Sequence, residues 1–224
     1  MKVTTNKSSW KGMGQFERAS DAVLRELRRM IITLELAPGT AITEESLCEL
    51  LKCSRTPIRE ALQQLVREHL VVATPRRGVS VAELRMVDFF AMLEATEGID
   101  AIVARLAAQR LTDERIDELD EVMRLSEQAE AAKDFARVVE LDFEFHSVIA
   151  AASDNHFLME FHETLHRLST RFVFLGFNRA GTATGAIEDH RQIVEALRAR
   201  DVDLAESAVR SHVSHARERM MAGM

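Results

Sequence analysis

The sequence predicts a mainly α-helical chain: an N-terminal winged helix-turn-helix with a small β-hairpin wing, then an all-α antiparallel helical bundle. Three observations predict it. The stretch Ser54-Arg55-Thr56-Pro57-Ile58-Arg59-Glu60-Ala61-Leu62 follows an amphipathic segment, Glu44–Leu51, and concentrates basic and hydroxyl side chains at a helix start. Two β-rich runs, 70–73 and 79–81, flank Pro75-Arg76-Arg77-Gly78. From residue 87 onward the apolar positions follow only a helical period.

The elements follow in order. Residues 1–15 are polar, contain Gly12 and Gly14 and lack periodicity, which reads as a mobile tail. Over residues 20–35, Ala22, Val23, Leu27, Met30, Ile31 and Leu34 share one helical face, and Ala37-Pro38-Gly39 ends it. Thr43 caps the next helix, with Ser46 where a Glu would complete a capping box. Ser54 is an N-cap, and Pro57 falls in a first turn, where its missing N–H costs little. That helix runs to about residue 69, burying Ile58, Ala61, Leu62 and Leu65. The hairpin after it is the wing, with Arg76, Arg77 and Gly78 at the tip, placed to meet phosphate or a minor groove. Bundle helices are expected at 87–109, 113–132, 134–152, 155–175, 186–200 and 203–220, with a loop over 178–185. The domains are therefore 16–82, a winged helix-turn-helix for DNA, and 84–220, an all-helical bundle.

Composition bounds the function. Hydrophobic content of 46% and charged content of 29% suit a soluble globular chain, and no apolar run reaches membrane-span length. No apolar core with a cleavage site follows Lys7 and Lys11, so no signal peptide is expected. Cys48 and Cys53 are too few for a disulfide framework, and a cytoplasmic location is expected. The net charge of −7 is unevenly spread. Residues 1–15 hold three basic and no acidic residues, 16–80 ten basic and nine acidic, and 81–224 sixteen basic and twenty-seven acidic. An acidic bulk joined to a near-neutral N-terminal part permits DNA binding through one face.

The bundle carries a second chemistry. Asp142 and His146 are four apart and share a face with Ile149, so a carboxylate and an imidazole turn toward an apolar interior. His162/His166, His190 and His212/His215 lie downstream. Facing helices can bring such residues to one transition metal. Hydrogen-bonded or solvent-facing histidines are the plain alternative. Spacing alone does not choose between the pair Asp142/His146 and the equally spaced pair His162/His166.

These residues resemble the GntR family of bacterial transcription regulators, in the FadR-like branch with an FCD effector domain. The resemblance rests on Leu36-Ala37-Pro38-Gly39, the 54–62 stretch and Arg77-Gly78-Val79. In the second half it rests on Arg105-Leu106-Ala107-Ala108, Asp142-Phe143-Glu144-Phe145-His146, Glu188-Asp189-His190 and residues 205–212. It implies DNA contacts from Ser54, Arg55, Thr56 and Arg59, with the wing near Gly78 in the minor groove. It implies a metal, zinc or nickel, held by Asp142, His146, His190 and His212, helping to anchor a small organic acid. Three departures stand out. Thr96, flanked by Glu97, occupies the place of an arginine that in many relatives pairs with a ligand carboxylate; Arg171 could substitute or lie on the surface. Lys52 and His69 each replace a common glycine, and the charge of Lys52 could reach phosphate.

The reading is a homodimeric, ligand-responsive repressor of a short palindromic operator, with a small-molecule effector, possibly a carboxylate, in the bundle. One alternative is a structural metal, or none, with a non-acid effector. A remote one is a metal-dependent hydrolase fused to a DNA-binding module. For that, Glu144 is the candidate base, but it lies two residues from both Asp142 and His146 and so faces away.

Overall fold

A computed structural model describes residues 18–76 and 78–222 in two compact units, one of residues up to 31 with 35–82, the other of residues 32–34 with 83 onward. The tail expected over 1–15 and the wing residue Arg77 lie outside the described residues.

The first unit contains α1 (Ala19–Ile32), β1 (Ala41–Ile42), α2 (Glu44–Leu51), α3 (Arg55–Arg67), β2 (Val71–Thr74) and β3 (Gly78–Val81). β2 and β3 form the antiparallel wing, with Val71 opposite Val81 and Thr74 opposite Gly78. The sequence reading missed β1, which pairs Ala41 with Ser80 and Ile42 with Val79. Two residues are too short to show a period of two, so the strand order β1-β3-β2 emerges only in three dimensions. Val23, Leu27, Ile31, Leu47, Ile58, Leu65 and Leu70 close the core beneath it. Cys48 and Cys53 are free thiols packed against that core.

Helix ends in this unit depart from the glycine rule. Lys52 ends α2 in the left-handed conformation (φ 51°), and His69 does the same after α3 (φ 56°). In each case the next N–H reaches back five residues, Cys53 to Cys48 and Leu70 to Leu65. That is a Schellman stop built without glycine. The expected need for Glu at 46 is corrected. Ser46 completes the capping box itself, its hydroxyl serving the Thr43 N–H while Thr43 Oγ1 accepts from Ser46 N at 3.1 Å.

The second unit is, among the described residues, a six-helix bundle: α4 (Met86–Arg110), α5 (Asp113–Ala131), α6 (Phe135–Ala152), α7 (His156–Ala180), α8 (Thr184–Arg198) and α9 (Val202–Ala222). α4 packs on α6, α7 and α9, and α5 packs on α6 and α8. Ala104, Ala107 and Ala108 on α4 are fully buried, and their small side chains let neighbouring helices close in. Lys133 and Arg200 repeat the non-glycine stop, with Asp134 N bonding Ala129 O and Asp201 N bonding Ala196 O.

The loop expected over 178–185 is shorter. α7 continues to Ala180, and Gly181 alone (φ 68°) supplies the left-handed stop. Gly185 already lies inside α8. Glu130 of α5 holds the start of α8, accepting from Ala183 N at 3.0 Å and from the hydroxyls of Thr182 and Thr184.

Candidate functional site

Two sites can be built, one in each unit. The first is the N-terminal end of α3. Ser54 caps it with extended backbone, yet its hydroxyl makes no capping bond, which corrects the side-chain role expected of it. The first turn of α3 has no acidic residue. Free backbone N–H groups there present the positive end of the helix dipole. Lys52, Ser54, Arg55, Thr56 and Arg59 are all exposed around it, and Arg76 and Gly78 are exposed on the wing. Arg76 (φ 64°) and Gly78 (φ 86°) both take left-handed backbone, which turns the hairpin sharply. Glu44 of α2 was not singled out in the sequence, yet it grips Arg59. Nε and one Nη of Arg59 each donate to a Glu44 carboxylate oxygen at 2.9 Å.

The second site is a cavity of about 600 Å³ in the bundle. Phe89, Leu93, Phe172, Val173, Val213 and Met220 form apolar wall, while Thr96, Asp100, Asp142, His146, His166 and His212 supply polar groups. Asp142 and His146 stand one turn apart on α6, as their spacing requires. α8 brings His190 and α9 brings His212. Donor atoms of His146, His190 and His212 lie within 4.8 Å of one another, and all three rings are buried. Their ring centroids are 5.0, 5.2 and 4.8 Å apart. Imidazoles bound tetrahedrally through bonds of about 2.0–2.1 Å put their centroids about 5 Å apart, so this group has the spacing of a metal site. Asp142 Oδ1 stands 3.6 Å from His190 Nε2, beyond a hydrogen bond. His190 Nε2 and His212 Nδ1 are buried without a hydrogen-bond partner. The unmatched His190 Nε2 beside Asp142 fits a cation that completes it.

The electrostatics agree. Burial pushes the Asp142 carboxyl up to about 6, against the pull of His212 and Arg219. Burial, reinforced by neighbouring imidazoles, lowers His146 and His190 well below the usual range. Neutral imidazoles are the form that ligates metal. Phe145 stacks on His190 at 4.1 Å and fixes its plane.

Other residues land differently. Thr96 lies on the cavity wall, whereas Arg171 is buried on α7 and does not line the cavity. Burial lowers the Arg171 guanidinium to about 10. His162 and His166, the pair that spacing could not separate from the others, are also buried in this polar centre, with the His166 ring 4.0 Å from that of His146. Two carboxylates escaped the sequence reading. Asp100 bonds both of those histidines. Asp189 lies 2.8 Å from His215 Nδ1, 2.7 Å from Arg219 Nη1 and 3.7 Å from His212 Nδ1. Asp100 sits alone in an apolar run of α4, and that placement was the available signal. Glu144 is exposed, consistent with its facing away from the group.

Comparison with known proteins assigns both units to known families. Residues 19–81 match the bacterial regulatory proteins of the gntR family, and residues 91–215 match the FCD domain. The chain is 28% identical over 201 residues to the HTH-type transcriptional repressor RspR of Escherichia coli K12, covering 88% of this chain and 86% of that one. It is 31% identical over 185 residues to the Nta operon transcriptional regulator of Aminobacter aminovorans, covering 82% and 86%. The solved structure of E. coli McbR/YncC shares the fold, with a TM-score of 0.79 at 21% identity, over 92% of this chain and 99% of that one. The helix-turn-helix with its wing and the six-helix bundle thus identify this chain as a DNA-binding transcription regulator, not an enzyme, and it belongs to the GntR family with an FCD domain.

Proposed function

We propose that the chain is a homodimeric, effector-responsive repressor, acting in the cytoplasm, whose bundle cavity takes a small organic acid beside a zinc or nickel ion. The observation that carries the metal is the group of three buried histidines at ligand spacing, with the unmatched His190 Nε2 3.6 Å from Asp142 Oδ1. Asp142, His146, His190 and His212 would hold the ion. When bound, it would supply a Lewis-acidic position for a ligand carboxylate or water. Burial keeps the His146 and His190 imidazoles neutral, and the apolar wall excludes water from the ligand body. Two copies of α3, related by a two-fold axis, would read the half-sites of a palindrome, with Lys52, Ser54, Arg55, Thr56, Arg59, Arg76, Arg77 and Gly78 as contacts. An effector would shift the balance between two placements of the DNA-binding units only by binding one of them more tightly.

One observation favours a second reading with a non-acid effector. At the wall where an arginine would meet a ligand carboxylate, this chain presents Thr96 and Asp100. A hydrogen-bond donor suits that pole better than a second carboxylate.

The test is metal content of tag-free protein, with His146→Ala and His212→Ala beside it. Near-stoichiometric metal lost in both variants supports the four-ligand reading. No metal after purification without chelator, and none on addition, overturns it.

A further inference from the structure

His146 belongs to a second group as well. One donor atom each of His146, His162 and His166 lies within 4.8 Å of the others, and all three rings are buried. His162 and His166 stand one turn apart on α7. Asp100 of α4 spans them, one oxygen 2.7 Å from His162 Nδ1 and the other 2.9 Å from His166 Nε2. An ionised carboxylate only accepts, so both of these nitrogens carry hydrogen. In the neutral rings the lone pairs therefore sit on His162 Nε2 and His166 Nδ1. His162 Nε2 is buried and has no hydrogen-bond partner. A carboxylate behind an imidazole is the arrangement by which proteins fix the tautomer of a metal-ligating histidine and raise its basicity.

We propose that His146, His162 and His166, oriented by Asp100, form a second position for a borderline transition-metal cation such as Zn²⁺, Co²⁺ or Ni²⁺. Three nitrogen donors suit that class of ion, and Asp100 offsets part of its charge. The centroids of His146 and His166 are 4.0 Å apart and those of His162 and His166 4.2 Å. Both are closer than the about 5 Å of ligating rings, so an ion here displaces His166, which lines the cavity. Neutral His146 has one lone pair and serves one ion at a time. The two positions therefore exclude each other, and an ion on the Asp100 side withdraws His146 from His190 and His212. The second position shares only His146 with the one proposed above, and none of its other groups depends on that reading.

The experiment is a Co²⁺ titration of the full chain, followed by calorimetry and by visible absorption of the bound ion. The folded His190→Ala/His212→Ala variant, metal-free as purified, is expected to bind one added Co²⁺ per chain, more weakly than the wild-type chain. Adding His162→Gln and His166→Gln abolishes that binding, and adding Asp100→Asn instead weakens it about 10- to 100-fold. No binding by the folded double variant, while the wild-type chain binds one ion, overturns the second position and leaves the first intact. No binding by either overturns both. Circular dichroism checks the fold, and if the alanine pair unfolds, Asp142→Asn/His212→Gln asks the same question.

Discussion

Arg59, exposed near the N-terminal end of α3, is gripped in a bidentate pair by Glu44 of α2. The same guanidinium fork that would read a guanine edge or a phosphate is occupied by a carboxylate of its own chain. On the proposed reading, DNA would either displace Glu44 or accept Arg59 in the direction Glu44 sets.

Glu44→Gln is therefore expected to tighten binding to every duplex, because it frees Arg59 and removes a negative charge from beside the phosphates. Fluorescence anisotropy with a selected operator and a scrambled duplex, across a salt series, checks this. Unchanged affinity on both would mean that Glu44 stays with Arg59 in the complex.

Arg59→Ala is expected to weaken operator binding about 10- to 100-fold if it reads a base, since a bidentate arginine–guanine pair contributes about 1–3 kcal/mol of discrimination. If Arg59 meets only phosphate, operator and scrambled duplex weaken alike and the salt slope falls by about one. Neither effect would remove Arg59 from the interface.

Metal uptake should depend on pH through Asp142. Its carboxyl is raised to about 6 in the metal-free fold from an ordinary 3.8, so protons compete with the ion as pH falls through about 6. Below that point the apparent affinity is expected to drop about tenfold per pH unit. Asp142→Asn should weaken binding and remove that step. In the metal-free chain the native state holds this proton more tightly than the unfolded one. The stability this group contributes is accordingly present below about pH 4 and lost as pH rises through 6. A pH-independent metal affinity across that window would contradict the assignment.

His69 is exposed and sits at φ 56°. A side chain there costs about 1–2 kcal/mol relative to a right-handed conformation, part of which glycine recovers. His69→Gly is expected to raise stability by about 0.5–1 kcal/mol in urea unfolding. A loss would show that the His69 side chain makes contacts that outweigh its backbone.

The helical periodicity and the 54–62 stretch made the two units readable from sequence, because burial of Ile58, Leu65, Leu141 or Ile149 is written at intervals of three and four. The boundaries at Lys133 and Arg200 were readable too, although left-handed lysine and arginine stand where glycine would have marked the stop. The end of α7 was not, since Gly181 and Gly185 look alike in sequence and only one has positive φ. β1 was invisible because its partner, β3, comes only after two helices and another strand. In the bundle, Asp142 and His146 showed themselves by spacing. Asp100 showed only as a lone carboxylate in an apolar run, because its partners His162 and His166 come from α7. The same is true of the Arg59–Glu44 pair, which joins two helices across a turn.

The cavity wall carries a further consequence. Phe89, Leu93, Phe172, Val173, Val213 and Met220 surround far more volume than a two- or three-carbon acid would fill. A molecule that merely chelates would leave those rings and branches facing trapped solvent. On the organic-acid reading, discrimination among candidate effectors would then fall to the shape of the hydrocarbon portion, with the charged end common to all of them. Enlarging or trimming single wall residues should then change which effector is recognised while leaving the proposed anchoring of its head group intact.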